Sequence, residues 1–155
     1  MKTTRSMLVA ATLWLTAIAV SIAASAQMGT WKLNESKSEF SSKARNHTVT
    51  YTAAPHDMVK VDVMGVDKDG KPVHWEWTGK FDGKAYKMHH NALANMASYK
   101  MVSDRTNEIT MTKDGKTTVV TTVTVSEDGK SRTVTSTVTG ADGEKRTDKA
   151  VYDKE

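Results

Sequence analysis

From Arg105 to Asp153 the chain reads as strand-like alternating runs rich in Thr and Val, punctuated by Asp114-Gly115, Asp128-Gly129 and Asp142-Gly143. In Lys116–Glu127 and Lys130–Ala141 β-branched residues fill nearly every position, which restricts helix and suits a pleated strand. Asp-Gly supplies the positive φ that tight hairpins need, so each pair marks a reversal. The same period of two runs through the rest of the chain. It predicts an opening strand at Gly29–Leu33, then strands at His47–Ala53, Met58–Val66, Lys71–Phe81, Lys84–His89, Ala97–Ser103, Asn107–Thr112, Lys116–Val125, Lys130–Thr139 and Lys145–Asp153. The polar link from Asn34 to Asn46 has room for a short turn of helix, and so has Asn91–Met96; Pro55 falls in a connection, where its missing N–H does no harm.

Register is set by which side chains must share a face, because a slip of one residue turns the whole apolar set outward. A three-residue loop Lys68-Asp69-Gly70 sets Val63 opposite Trp75 and Val61 opposite Trp77. The same length at Lys113-Asp114-Gly115 sets Ile109 opposite Val119. A two-residue turn at Asp82-Gly83 brings Met88 across from Trp77 and the Tyr86 ring over Gly79. At Asp128-Gly129 the local chemistry suits three residues, whereas burial asks for an even loop pairing Val123 with Val134 and Val119 with Val138; burial decides. One dry face results: Val61, Val63, Val73, Trp75, Trp77, Tyr86, Met88, Tyr99, Met101, Ile109, Met111, Val119, Val123, Val134 and Val138. His74, Glu76, Thr110, Thr118, Thr133, Thr135 and Thr137 lie on the wet one. With no helix to cover the dry face, these strands must stack as two sheets or close on themselves. Consecutive short hairpins favour an all-β, antiparallel up-and-down barrel over a Greek-key sandwich, which needs a long crossover.

Charge and composition narrow the partners. Lys2 and Arg5 precede an uncharged run from Met7 to Val20, and Ala24-Ser25-Ala26 offers small residues at a cleavage site. Residues 1–26 therefore read as a signal peptide cut before Gln27 and 27–155 as one barrel domain, exported to the periplasm or the medium; the other reading of the leader is an uncleaved anchor. Of the 22 basic residues two lie in the leader, so the net charge of +4 falls to +2 in the remainder, and no basic footprint for nucleic acid is left. The chain has no cysteine, which removes disulfides, thiolate metal sites and thiol nucleophiles together. The expected protein is a monomer with no cofactor, no nucleic-acid partner and no membrane contact after cleavage.

Gly29-Thr30-Trp31 on the opening strand resembles the Gly-x-Trp start of the lipocalins and the wider calycin superfamily. That resemblance implies a barrel closed at one end by Gly29 and Trp31, with an Arg from a late strand, Arg132 or Arg146, laid across the indole. The family's Thr-Asp-Tyr turn is missing, since Thr147-Asp148-Lys149 comes too late, as are its disulfides, and the chain is shorter than most members. The segments Gly29–Ser38 and Lys71–Lys84 also look like those of small exported bacterial lipocalin-like proteins.

For binding, Trp31, Val61, Val63, Trp75, Trp77, Tyr86, Met88, Tyr99 and Met101 are the candidate lining for a small apolar or amphiphilic ligand; the same residues could instead fill the barrel solidly. His90, paired with Trp75, either meets that ligand or sits in water at the mouth. Glu76 falls opposite His89, with His74 on the same face. This trio is a weak candidate zinc site, and a solvated polar face is the simpler account, so no metal is expected. No nucleophile elbow, phosphate loop or His-Glu-x-x-His is present, and inward-facing Ser136 has no histidine beside it. His47 and His56 carry no signal. The leading function is thus non-enzymatic binding inside the barrel. The alternatives are a protein-binding or inhibitor module acting through loops such as Asn91–Ala97, and, third, barrel-cavity catalysis resting on His90 alone.

Overall fold

Ten alternating runs become ten strands in the computed structural model, which describes residues 22–155. They are β1 (Gly29–Leu33), β2 (Arg45–Ala54), β3 (Met58–Val66), β4 (Pro72–Gly79), β5 (Asp82–His89), β6 (Met96–Met101), β7 (Thr106–Lys113), β8 (Lys116–Val125), β9 (Ser131–Thr139) and β10 (Lys145–Lys154). Each pairs antiparallel with its neighbour in sequence, and β1 pairs with β10 to shut the ring. The fold is a closed up-and-down barrel with no free edge. Residues 1–21 of the expected leader lie outside the described residues. A short helix, α1 (Ile22–Gln27), spans its last residues and Gln27, and Ala24 and Ala26 pack against the core. Among the described residues no helix is long and apolar enough to cross a membrane.

The alternation decides which side faces in. In β8 the pattern is regular: Val119, Thr121, Val123 and Val125 are buried while Val120, Thr122 and Thr124 are exposed. Val61 pairs with Trp77 and Val63 with Trp75, Trp77 with Met88, Val119 with Val138 and Val123 with Val134, each as the hydrophobic faces require. The third hairpin differs from expectation. Ile109 sits opposite Thr121, and Met111 takes Val119. Asp114 and Gly115 form a two-residue turn with φ of 52° and 80°, the left-handed geometry that matches strand twist. An even turn alone would flip the faces; the register shift beside Met111, with Thr118 as the extra residue, restores them. The Thr118 hydroxyl donates to the Met111 carbonyl at 3.3 Å.

The connections alternate between two ends. The long link holds one turn of 3-10 helix, Glu35–Lys37, as its length allows. Residues 91–95 form no helical turn, contrary to expectation. Asn91 Oδ1 there accepts the N–H groups of Leu93 and Ala94, a local bond that competes with helix. One ladder is short: β3 and β4 pair from Val59↔Gly79 to Val66↔Pro72, whereas β4 and β5 pair only at Glu76↔His89 and Trp77↔Met88.

Candidate functional site: the barrel interior

Large side chains gather at the end where the chain enters. Trp31 is fully buried and its indole N–H donates to the Gln27 carbonyl at 2.8 Å. Gly29 there adopts a φ of +106° with Lys154 Cε 3.0 Å from where a Cβ would sit, so only glycine fits without strain. Trp77 stacks on Tyr99 at 3.9 Å between centroids, meets the edges of Phe81 and Tyr86, and donates its N–H to the Ala97 carbonyl at 3.0 Å. These rings plug the lower barrel.

Above the plug lies a cavity of about 450 Å³. Its wall is mostly aliphatic, with Val49, Val61, Val63, Ile109, Val119 and Val134 among the residues that face it. The Thr121 and Ser136 hydroxyls, 2.9 Å apart, satisfy one another on that wall. At the mouth stand Phe40, Arg45, Lys68, His90 and Leu93. The Leu93 loop is pinned from outside: Lys113 donates to the Ala92 carbonyl at 2.7 Å and Asn95 to Asp114 at 2.9 Å.

The floor is chemically unlike the wall. Arg132, from β9, is only 3% exposed and faces the cavity. Its guanidinium carbon lies 4.8 Å from the Trp31 ring, 5.1 Å from Tyr51 and 5.0 Å from Tyr152. Rings attract the cation through their quadrupoles but cancel no charge. Its guanidinium donates to Gln27 Oε1 at 3.2 Å, its Nε is unpartnered, and among the described residues no carboxylate pairs with it. Burial pushes the Tyr152 hydroxyl up to about 12 and that of Tyr99 well above its ordinary value, with the Arg132 charge pulling both the other way.

The sequence-derived candidates divide by height in the barrel. Val61, Val63, Trp75, His90 and Tyr99 border the cavity. Trp31, Trp77, Tyr86, Met88 and Met101 do not, because they belong to the plugged end or the strands around it. Tyr86 lies over Gly79, where an added Cβ would come within 2.6 Å of its ring. Arg132 takes the place over Trp31, while Arg146 is an exposed neighbour of Glu144. On the outer face His74 and Glu76 group with Asp62 rather than with His89, their ligand atoms within 4.8 Å of one another. His74 bonds Asp62 at 3.0 Å and Glu76 is paired with Lys60, so the group is already satisfied within itself. Gln27, absent from the sequence-derived candidates, is fully buried against Arg132.

No protein-family model and no curated protein matches the chain. Solved structures do. A Schistosoma mansoni fatty acid binding protein in complex with arachidonic acid is 20% identical, over 86% of this chain and 98% of that one, with a TM-score of 0.53. A mutant of the fluorescent protein UnaG is 12% identical over 82% and 94%, with a TM-score of 0.51. At such identities the likeness shows a shared fold, the closed antiparallel barrel.

Proposed function

We propose that this protein is an exported, non-enzymatic carrier that holds one small amphiphile inside its barrel. The body of the ligand lies along the aliphatic wall, and an anionic head points to Arg132. The observation that carries this reading is a cavity of about 450 Å³ whose apolar wall ends at a buried guanidinium without a carboxylate. A volume of that order suits a single small molecule, and a buried charge without a counter-ion is costly until one arrives. Arachidonic acid, present in the Schistosoma structure, combines those two features. The leader with its small-residue site supports export.

Native mass spectrometry of the protein isolated from its own cells, followed by extraction, tests the proposal directly. A retained acidic amphiphile is the expected result. Ser136→Phe should then fill the cavity and abolish retention while the protein stays folded. Protein that emerges empty, and takes up no apolar acid on titration, removes the carrier role.

A further inference from the structure

The interior raises a question of charge that Arg132 alone does not answer. A buried guanidinium is ordinarily matched by a carboxylate, yet the residue set against it is an amide. Gln27 is fully buried, its backbone carbonyl holds the Trp31 indole N–H at 2.8 Å, and its Oε1 accepts from Arg132 at 3.2 Å. Gln27 Nε2 and Arg132 Nε both lack a partner. Both atoms are donors; among the described residues the one other buried side chain with unpartnered atoms, Asn107, leaves a donor and an acceptor.

We infer that Gln27 sets the charge preference of the cavity: a neutral amide holds Arg132 in place without cancelling its charge, which leaves the floor positive for a bound anion. The inference rests on the carrier reading above and assigns Gln27 as a positioning residue, acting through Arg132. The aromatic cage fits the same role. Trp31, Tyr51 and Tyr152 hold the cation at 4.8, 5.1 and 5.0 Å and contribute attraction without negative charge. A carboxylate of the same length at position 27 would cancel the floor's charge with almost no change of shape. A cut before Gln27, the expected cleavage site, would remove the Ala24 and Ala26 contacts and retain this residue as the new N-terminus, whose α-ammonium would add to the positive charge at this end.

The groups around the pair are Tyr51 on β2, Tyr99 on β6, Tyr152 on β10, and Lys154 of β10, whose Nζ lies 5.2 Å from the Trp31 ring. His56, Asp57, Lys80 and Asp82 line a groove together with Ala24 and Ser25 of α1.

Two dyes with one aromatic body provide the test: anilinonaphthalene sulfonate, and phenylnaphthylamine, which lacks the sulfonate. Each is titrated by fluorescence into the protein, Gln27→Glu and Gln27→Met, with circular dichroism confirming the fold. The wild type should prefer the sulfonate. Gln27→Glu should weaken the sulfonate by about tenfold or more, the cost of one lost charge interaction, and leave the neutral dye within about twofold. Acidification should restore sulfonate binding to Gln27→Glu as the introduced carboxyl takes up a proton, and do nothing comparable in the wild type, where His56, Asp57 and Asp82 are equally present. Gln27→Met stays neutral but loses the bond to Arg132, so it should lower the sulfonate preference by less than Gln27→Glu does, which also covers the case in which the Glu variant does not fold. Equal loss of both dyes in Gln27→Glu, retained sulfonate affinity there, or an unchanged preference in Gln27→Met overturns the role of Gln27 while the carrier reading stands. A wild type that takes up neither dye defeats both.

Discussion

Two halves of one barrel, built on the same period of two, end as opposites. Near α1 the interior holds Trp31 and a cluster of Trp77, Phe81, Tyr86 and Tyr99 whose rings meet edge to face or stacked and leave no room. Toward the mouth the inward positions carry Val63, Val119, Val138 and Ile109, and a cavity remains. Parity places a side chain inside; its volume decides whether the inside is filled. The difference teaches that a barrel becomes a container through an uneven distribution of side-chain size along its axis.

The comparison breaks first at Trp77. Trp77→Ala should cost about 3–5 kcal/mol, because it empties a packed site and removes the indole bond to the Ala97 carbonyl. Urea unfolding monitored by circular dichroism measures it, and a loss below about 1 kcal/mol would mean that this end is not packed as described. Alkaline pH strikes the floor next. The Tyr152 hydroxyl is pushed up to about 12 by burial, against about 10 in an unfolded chain. The folded protein therefore keeps a proton that the unfolded chain has released. The stability this contributes is complete below about pH 10 and is lost as pH rises toward 12, by about 1.4 kcal/mol per unit. Unfolding curves between about pH 9 and 12 should show the slope, and Tyr152→Phe should remove this residue's share of it, leaving the share of Tyr99.

Gly79→Ala probes the seal of the plugged end at a smaller scale. The new Cβ would fall within 2.6 Å of both the Trp77 and Tyr86 rings, and overpacking of this kind costs about 1–3 kcal/mol. Thermal unfolding should reveal it, and an unchanged midpoint would show that the rings move aside freely. The gentlest change belongs to the hollow half. Ile109→Val removes one methylene from a wall that already borders space and should cost no more than the lower end of about 0.5–1.5 kcal/mol. A larger loss in urea unfolding would place Ile109 in a packed core instead.

The sequence carried the barrel almost whole, and physical reasons explain where it did not. Asp-Gly pairs located the hairpins and burial fixed most registers, but at Asp114-Gly115 parity alone was informative. A three-residue loop and a two-residue turn with a bulge keep the same faces, so Ile109 moved from Val119 to Thr121 without turning outward. Height along the axis was invisible as well. Trp75 and Trp77 share a face and differ by one pleat, about 7 Å, yet one borders the cavity and the other plugs the floor. On the outer face, cross-strand position suggested His89 for Glu76, whereas the side chains lean to Asp62 and Lys60. Gln27 was legible only as the residue after a small-residue site. A single long amide between Ala26 and Met28 gives no periodic signal, and its meaning comes from Arg132, more than a hundred positions away.

The short ladder between β4 and β5 has its own consequence. Where β3 grips β4 from Val59 to Val66, β5 grips it at two places only, so the ring resembles a hoop fastened by one small clasp. Fluctuations spend their work at the least costly break. Unzipping there parts the hoop along a single line while the remaining staves keep their neighbours.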